Sequence, residues 1–347
     1  MQYSLLFVFI SVMTLLLLME SLINKKMKVG WLILVSLFVL FSSIRNISVP
    51  DTWGYINSFA TLRLTFDSLR YTTYEPGFVI LSLFVKKFIS VDHKIYFGII
   101  TAINLLIMKK AFKNYNLKLL IIPTVIYISF YGFYFNFITL RAGLAFSFIC
   151  YSWSIFNKNK FRSLLLLLTA CLFHISSLFV LPSYLLINKK VILTKKLYYF
   201  WIMLISILYL IKIDIIFIDR VIDLVNYFNL FDGHRFSYYI NNIKFNYGIS
   251  FKFYFNIFYL IVFILFKDKK DNRYNYLINI NMIGLTIISF FPSFMWVERV
   301  TDFYIATNII LASLLFEKIK DAYLRYLIIL PFVYMNIVFV VRIINRN

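Results

Sequence analysis

Most of this chain cannot do chemistry, so the few residues that can stand out. Glu75, in TYEPGF (73–78), is a carboxylate placed directly before a proline and a glycine. Asp51, in RNISVPDTWG (45–54), is a second acid, and His174, in CLFHISS (171–177), is the one histidine deep in an apolar stretch. A carboxylate or imidazole can take a proton from a hydroxyl group, so Glu75, Asp51 and His174 are the candidate catalytic groups. Arg45, Arg141, Arg235 and Arg299, with His234 beside Arg235, form a second set. A guanidinium stays charged and grips phosphate or carboxylate oxygens with a planar fork, so these five are candidate substrate-binding groups. Each has a blander reading. Arg45, Arg299 and Arg342 suit arginines snorkelling from the ends of apolar helices. Arg141, between Leu140 and Ala142 with apolar sequence on both sides, fits that less well, because a charge there needs a partner inside the fold. Glu75 could serve the N-terminus of a following helix, since Pro76 suits a first turn. His174 could be a structural residue bonded to a serine or the backbone.

The elements that position these groups are greasy. Of 347 residues, 62% are hydrophobic, well above the roughly 45–50% of a soluble domain. Runs such as SLLFVFISVMTLLLLM (4–19) predict an all-α polytopic integral membrane protein. Ten segments are expected to span: 3–22, 30–45, 95–108, 119–136, 140–156, 197–217, 249–266, 275–292, 301–316 and 324–342. Two more, 77–91 and 163–187, are expected as re-entrant or half-spanning helical segments. The first is short and opens on Pro76-Gly77; the second is interrupted by His174 and Pro182. With no repeat or linker in sight, residues 1–347 read as one transmembrane domain with external loops 46–76 and 218–248. The first run is not a convincing signal peptide, because no basic stretch precedes it and no small-residue site follows.

Charge sets the expected sides. The formal net charge is +21, yet the basic residues fall in short loops, which excludes nucleic acid as the partner and points to topology signals and anionic lipid. Six clusters hold most of them: Lys25/Lys26/Lys28, Lys109/Lys110/Lys113/Lys118, Lys158/Lys160/Arg162, Lys189/Lys190/Lys195/Lys196, Lys267/Lys269/Lys270/Arg273 and Lys318/Lys320/Arg325. All six fall in the cytoplasm if 77–91 and 163–187 each return to their own side, whether as dips or as hairpins of short helices. Lysine then dominates the inner face, and four separate outer loops carry arginine. Walker A, HExxH, GxSxG and Asp-x-Asp patterns are absent, as is any Cys/His zinc spacing, so no metal and no cofactor is expected. Cys150 and Cys171 read as small buried hydrophobes.

The motifs in order resemble one family. RNISVPDTWGYINSF (45–59), YEPGFVIL (74–81), FNFITLRAGLAFSF (135–148) and ACLFHISSLFVLPSYLL (170–186) resemble four successive elements of the EpsG family of Wzy-like polymerases. The likeness covers roughly residues 40–190; beyond it, HRF (234–236) and ER (298–299) match in layout alone. The family often has Gly-Thr-Asp where this chain has Val49-Pro50-Asp51, and Arg-Gln where it has Arg141-Ala142. The resemblance implies a membrane glycosyltransferase making a bacterial surface polysaccharide (capsule, O-antigen or exopolysaccharide). It would act at the outer face of the cytoplasmic membrane. Its substrate would be a polyprenyl-diphosphate-linked oligosaccharide, transferred onto a lipid-linked repeat unit. Membrane lipids and other polysaccharide export and chain-length proteins are the implied partners. Arginines would face the leaving diphosphate, and Trp53, Tyr55, Tyr74 and Trp296 could stack on sugars or form an interfacial belt. The alternative is a transporter or flippase for a lipid-linked glycan or other anion, to which re-entrant segments and intramembrane charge are equally suited.

Overall fold

The computed structural model describes residues 2–23, 25–63, 72–189, 193–212, 214, 251–268, 271–292, 295–321, 323–328, 330, 331 and 334. Among them every regular element is a helix and no strand occurs. In chain order these are α1 (Gln2–Ile23), α2 (Lys28–Ser43), α3 (Thr52–Thr61), α4 (Pro76–Phe88), α5 (His93–Asn114) and α6 (Ile121–Tyr127). Two π-helical turns, Ile128–Gly132 and Tyr134–Ile138, follow. Next come α7 (Leu140–Ile155), α8 (Lys160–Phe173), a 3-10 stretch (Ile175–Val180), α9 (Pro182–Lys189) and α10 (Lys195–Ile211). The chain continues with α11 (Phe251–Leu265), α12 (Asn272–Phe290), α13 (Met295–Ile305) and α14 (Thr307–Lys318). Some starts are set by side chains that accept the free amides of a first turn. Asp92 accepts from Lys94 N at 2.8 Å, Asn159 from Arg162 N at 2.9 Å and Asp271 from Tyr274 N at 3.1 Å.

Two stretches, His93–Asn114 and Val297–Lys318, are each long and apolar enough to cross a membrane unaided. Several other apolar helices are shorter: α2, with 16 residues, rises about 24 Å against a hydrocarbon core of about 30 Å. The expected span 119–136 is α6 with the two π turns, and 301–316 is divided between α13 and α14 by a turn at Ala306. Segment 77–91 is one 13-residue helix, α4, with no return leg. Segment 163–187 is two helices joined by the 3-10 stretch, because His174 adopts an extended backbone and Pro182 cannot continue a helix. Loop 46–76 holds a helix the hydropathy pattern hides, α3, whose Thr52, Tyr55 and Phe59 are buried at helical spacing.

The fold divides into two compact units, Met1–Tyr184 with Ile309–Asn347, and Leu185–Asn308. In the first, Glu20 of α1 is fully buried. Its carboxylate accepts from the backbone amides of Leu120, Ile121 and Ile122 at 3.2, 2.8 and 3.0 Å, completing the N-terminus of α6. Glu317 accepts from Leu119 N at 2.9 Å. Asn114 meets Ser154 at 3.3 Å, and Ser152 meets Tyr184 at 2.6 Å. These contacts gather the basic stretches around residues 25–28, 109–118, 158–162 and 318–320 at one end of the unit. In the second unit Lys195 Nζ donates to Leu265 O at 2.8 Å, and Lys267 Nζ donates to Leu193 O, so those two basic stretches also share an end. The opposite end of that unit carries Lys252, 2.8 Å from both Glu298 and Asp302.

Candidate active site

At the end of the first unit away from its basic stretches, three helix termini converge. Pro76 occupies the first position of α4, which leaves Glu75 just outside with an extended backbone (φ −64°, ψ 146°). The Glu75 side chain makes no cap to its own helix. One carboxylate oxygen lies 2.5 Å from Arg141 Nη1, and the other lies 3.0 Å from His174 Nδ1 and 3.4 Å from the amide of Ile175. Arg141 sits in the first turn of α7. His174 ends α8, where the chain turns into the 3-10 stretch. Gly77 lets α4 close on α8, since a Cβ there would stand 2.8 Å from both Leu172 Cβ and its carbonyl oxygen. The cluster is neither open nor sealed: the side chains of Glu75, Arg141 and His174 are 14%, 25% and 18% exposed.

Aromatic rings surround the ion pair. The Arg141 guanidinium lies 4.5 Å from the centre of the Tyr74 ring, a cation–π contact. Tyr74 packs on Tyr55 and Phe78 at centroid distances of 5.6 and 5.7 Å. Beneath them Tyr55, Phe59, Phe78, Tyr96, Phe97 and Leu140 form one apolar cluster. Burial alone would raise the Glu75 carboxyl, but the hydrogen bond to His174 and the Arg141 charge outweigh it and hold it at about 2. Glu75 is therefore ionised at neutral pH and too weak a base to collect a proton there. Burial, helped by Tyr55, pushes the Tyr74 hydroxyl up to about 12, so it stays neutral. An Nδ1–H of His174 donated to Glu75 makes Nε2 the basic nitrogen of the ring.

A model of the EpsG family matches residues 28–347. The chain belongs to the EpsG family. No curated protein and no solved structure matches it. EpsG membership suggests a role in exopolysaccharide biosynthesis and a membrane protein. The match also takes in the second half of the chain, where the sequence resembles the family in layout alone.

Within this EpsG chain the structure brings Glu75, Arg141 and His174 together. Asp51 lies at the start of α3 in a left-handed backbone (φ 63°), exposed, and close enough for its charge to act on Tyr55 and Tyr74. Arg45 is turned inward: Nη1 donates to Asn136 O at 3.0 Å and Phe137 O at 2.8 Å, and its guanidinium lies 3.5 Å from the centre of the Phe97 ring. Arg299 is exposed on α13 in the second unit, next to the Glu298 that pairs with Lys252. His234 and Arg235 lie outside the described residues. Sequence reasoning missed Lys86, which donates to the carbonyls of Phe59, Ala60 and Leu62 at 2.9, 2.8 and 2.7 Å and so holds the end of α3 against α4. Its position on a short helix directly after the Glu-Pro-Gly turn is the signal that could have found it.

Proposed function

We propose that this EpsG-family chain polymerises a bacterial surface polysaccharide. It would be a multi-pass protein of the cytoplasmic membrane, with about ten spans, with 77–91 not crossing and with 163–187 reaching the outer end at His174 and returning as a hairpin of short helices. The basic loops face the cytoplasm, and the Glu75–Arg141–His174 end faces outward. The donor is a growing glycan on polyprenyl diphosphate, and the acceptor is one repeat unit on the same kind of lipid. The acceptor hydroxyl attacks the anomeric carbon of the donor. The bond from that carbon to the diphosphate oxygen breaks, and its electron pair leaves with the diphosphate.

The observation that carries this reading is the carboxylate shared between an arginine and a histidine, partly exposed at the end opposite the basic loops. The geometry supports the following roles. His174 takes the hydroxyl proton at Nε2, while Glu75 fixes the ring's tautomer and stabilises the imidazolium that results. Arg141 keeps Glu75 ionised. Its side chain is a quarter exposed, so the guanidinium can also donate toward the departing phosphate oxygens. Asp51 and Tyr74 line the approach for sugar hydroxyls. Export and chain-length proteins would receive the polymer.

Lipid-linked glycans extracted from cells with and without the gene test this. The expected result is a ladder of lengths with the gene, and single repeat units on lipid without it. Repeat units confined to the inner leaflet in cells lacking the gene would instead favour the flippase.

A further inference from the structure

Arg45 has the chemistry of a phosphate ligand but is spent elsewhere. Its Nη1 donates to the carbonyls of Asn136 and Phe137 at 3.0 and 2.8 Å. These belong to the second π turn, whose chain stops at Thr139 before α7 begins at Leu140. Carbonyls at a helix end lack intrahelical partners, and a cation there satisfies them and complements the dipole. One face of the guanidinium is covered by Phe97, 3.5 Å from the ring centre, and Phe137 stands 5.6 Å away. Asn136 is held from the other side, donating to Gly132 O at 2.8 Å and to the Tyr127 hydroxyl at 3.1 Å. Gly143 packs α7 back onto the same turn, with space for no Cβ: one would come within 2.5 Å of Phe135 O. The turn that Arg45 grips is therefore the platform from which Arg141 projects, three residues after its end at Ile138.

We infer that Arg45 is a positioning residue for Arg141: it clamps the end of the π-helical segment so that Arg141 meets Glu75 and His174. The inference rests on the polymerase reading of that cluster. It separates two arginines the sequence groups together. A phosphate-gripping arginine needs its fork, and lysine is a poor substitute. A clamp on two carbonyls needs only a cation with N–H donors. Lysine serves that purpose in this same unit, where Lys86 donates to three carbonyls at 2.7 to 2.9 Å. Replacing Arg45 by Lys also removes Nε and Nη2, two buried groups that hydrogen-bond nothing among the described residues; such groups cost stability.

The test compares Arg45→Lys, Arg45→Met, Arg141→Lys and the Arg45→Met/Arg141→Lys double variant by lipid-linked glycan ladder and by amount of protein in the membrane. Wild-type and gene-less cells run alongside. The expected result is polymer within about twofold of wild type for Arg45→Lys, and loss of the long ladder for the other three. The double variant should be no worse than the more damaged single one, because both changes break the same unit. An Arg45→Lys variant short of polymer, whether or not it accumulates, overturns the inference. So does a full ladder from Arg45→Met. Identical ladders from wild-type and gene-less cells would instead sink the polymerase reading itself.

Discussion

At the scale of the residue, Glu75 is an anchor between two partners, and its pH behaviour follows. Its carboxyl is held at about 2 against an ordinary value of 4.5, a difference equivalent to roughly 3 kcal/mol. Because the folded value is the lower one, this stabilisation is present in full above about pH 5 and fades as pH falls toward about 2. Glu75→Gln should therefore melt below the wild type by a constant margin from about pH 5 to about pH 8. The two melting curves should converge in acid, as read by thermal unfolding of detergent-solubilised protein. Arg141→Lys should accumulate normally and lose most polymer, since a lysine could keep the single contact to Glu75 but has no planar fork to reach a phosphate as well; glycan ladders with a membrane blot check this. That Glu75 stands at a helix entrance was legible, because the Pro76 that follows it suits a first turn. Which arginine it would meet was not legible. The choice depends on a helix end, Thr139, that hydropathy does not mark. Glu20 passed unremarked in the first span, although a lone buried acid in an apolar helix needs a donor, and the amides of α6 supply several.

At the scale of the element, glycine decides how close the helices come. Gly77→Ala would press a Cβ to 2.8 Å from the Leu172 backbone. The expected outcome is a shift of α4 off α8 at about 1–3 kcal/mol and a shortened glycan ladder, because Glu75 moves with α4 while His174 stays on α8. Wild-type ladders from Gly77→Ala would mean that the α4–α8 contact does not set the site. Helix existence and type were largely legible, since long apolar runs and Asp or Asn caps announce them. Breaks were not. The π turns at Ile128–Gly132 and Tyr134–Ile138 contain no proline and look like unbroken span. Their cause is tertiary: Asn136 and the Arg45 clamp satisfy backbone that a regular helix would pair internally. Likewise α3 escaped notice because its stripe of Thr52, Tyr55 and Phe59 is short and surrounded by polar residues.

At the scale of the whole molecule, the charge pattern carried the most information. Within each unit the basic stretches described share an end, which pairwise contacts of Glu20, Glu317, Lys195 and Lys267 enforce. In a chain with Cys150 and Cys171 replaced, Asn57→Cys should label with an impermeant thiol reagent on intact cells. Asn116→Cys and Asp268→Cys should label only after permeabilisation, and the reverse pattern would put the site on the wrong side for an outer-leaflet substrate. What most directly tests the whole account is the lipid-linked glycan profile of cells whose only copy of the gene carries Glu75→Gln. The carboxylate should be required, so the profile should collapse to single repeat units on lipid with normal amounts of protein in the membrane. Full-length ladders from that variant would contradict the account, leaving Glu75 as no more than a contact between helix ends.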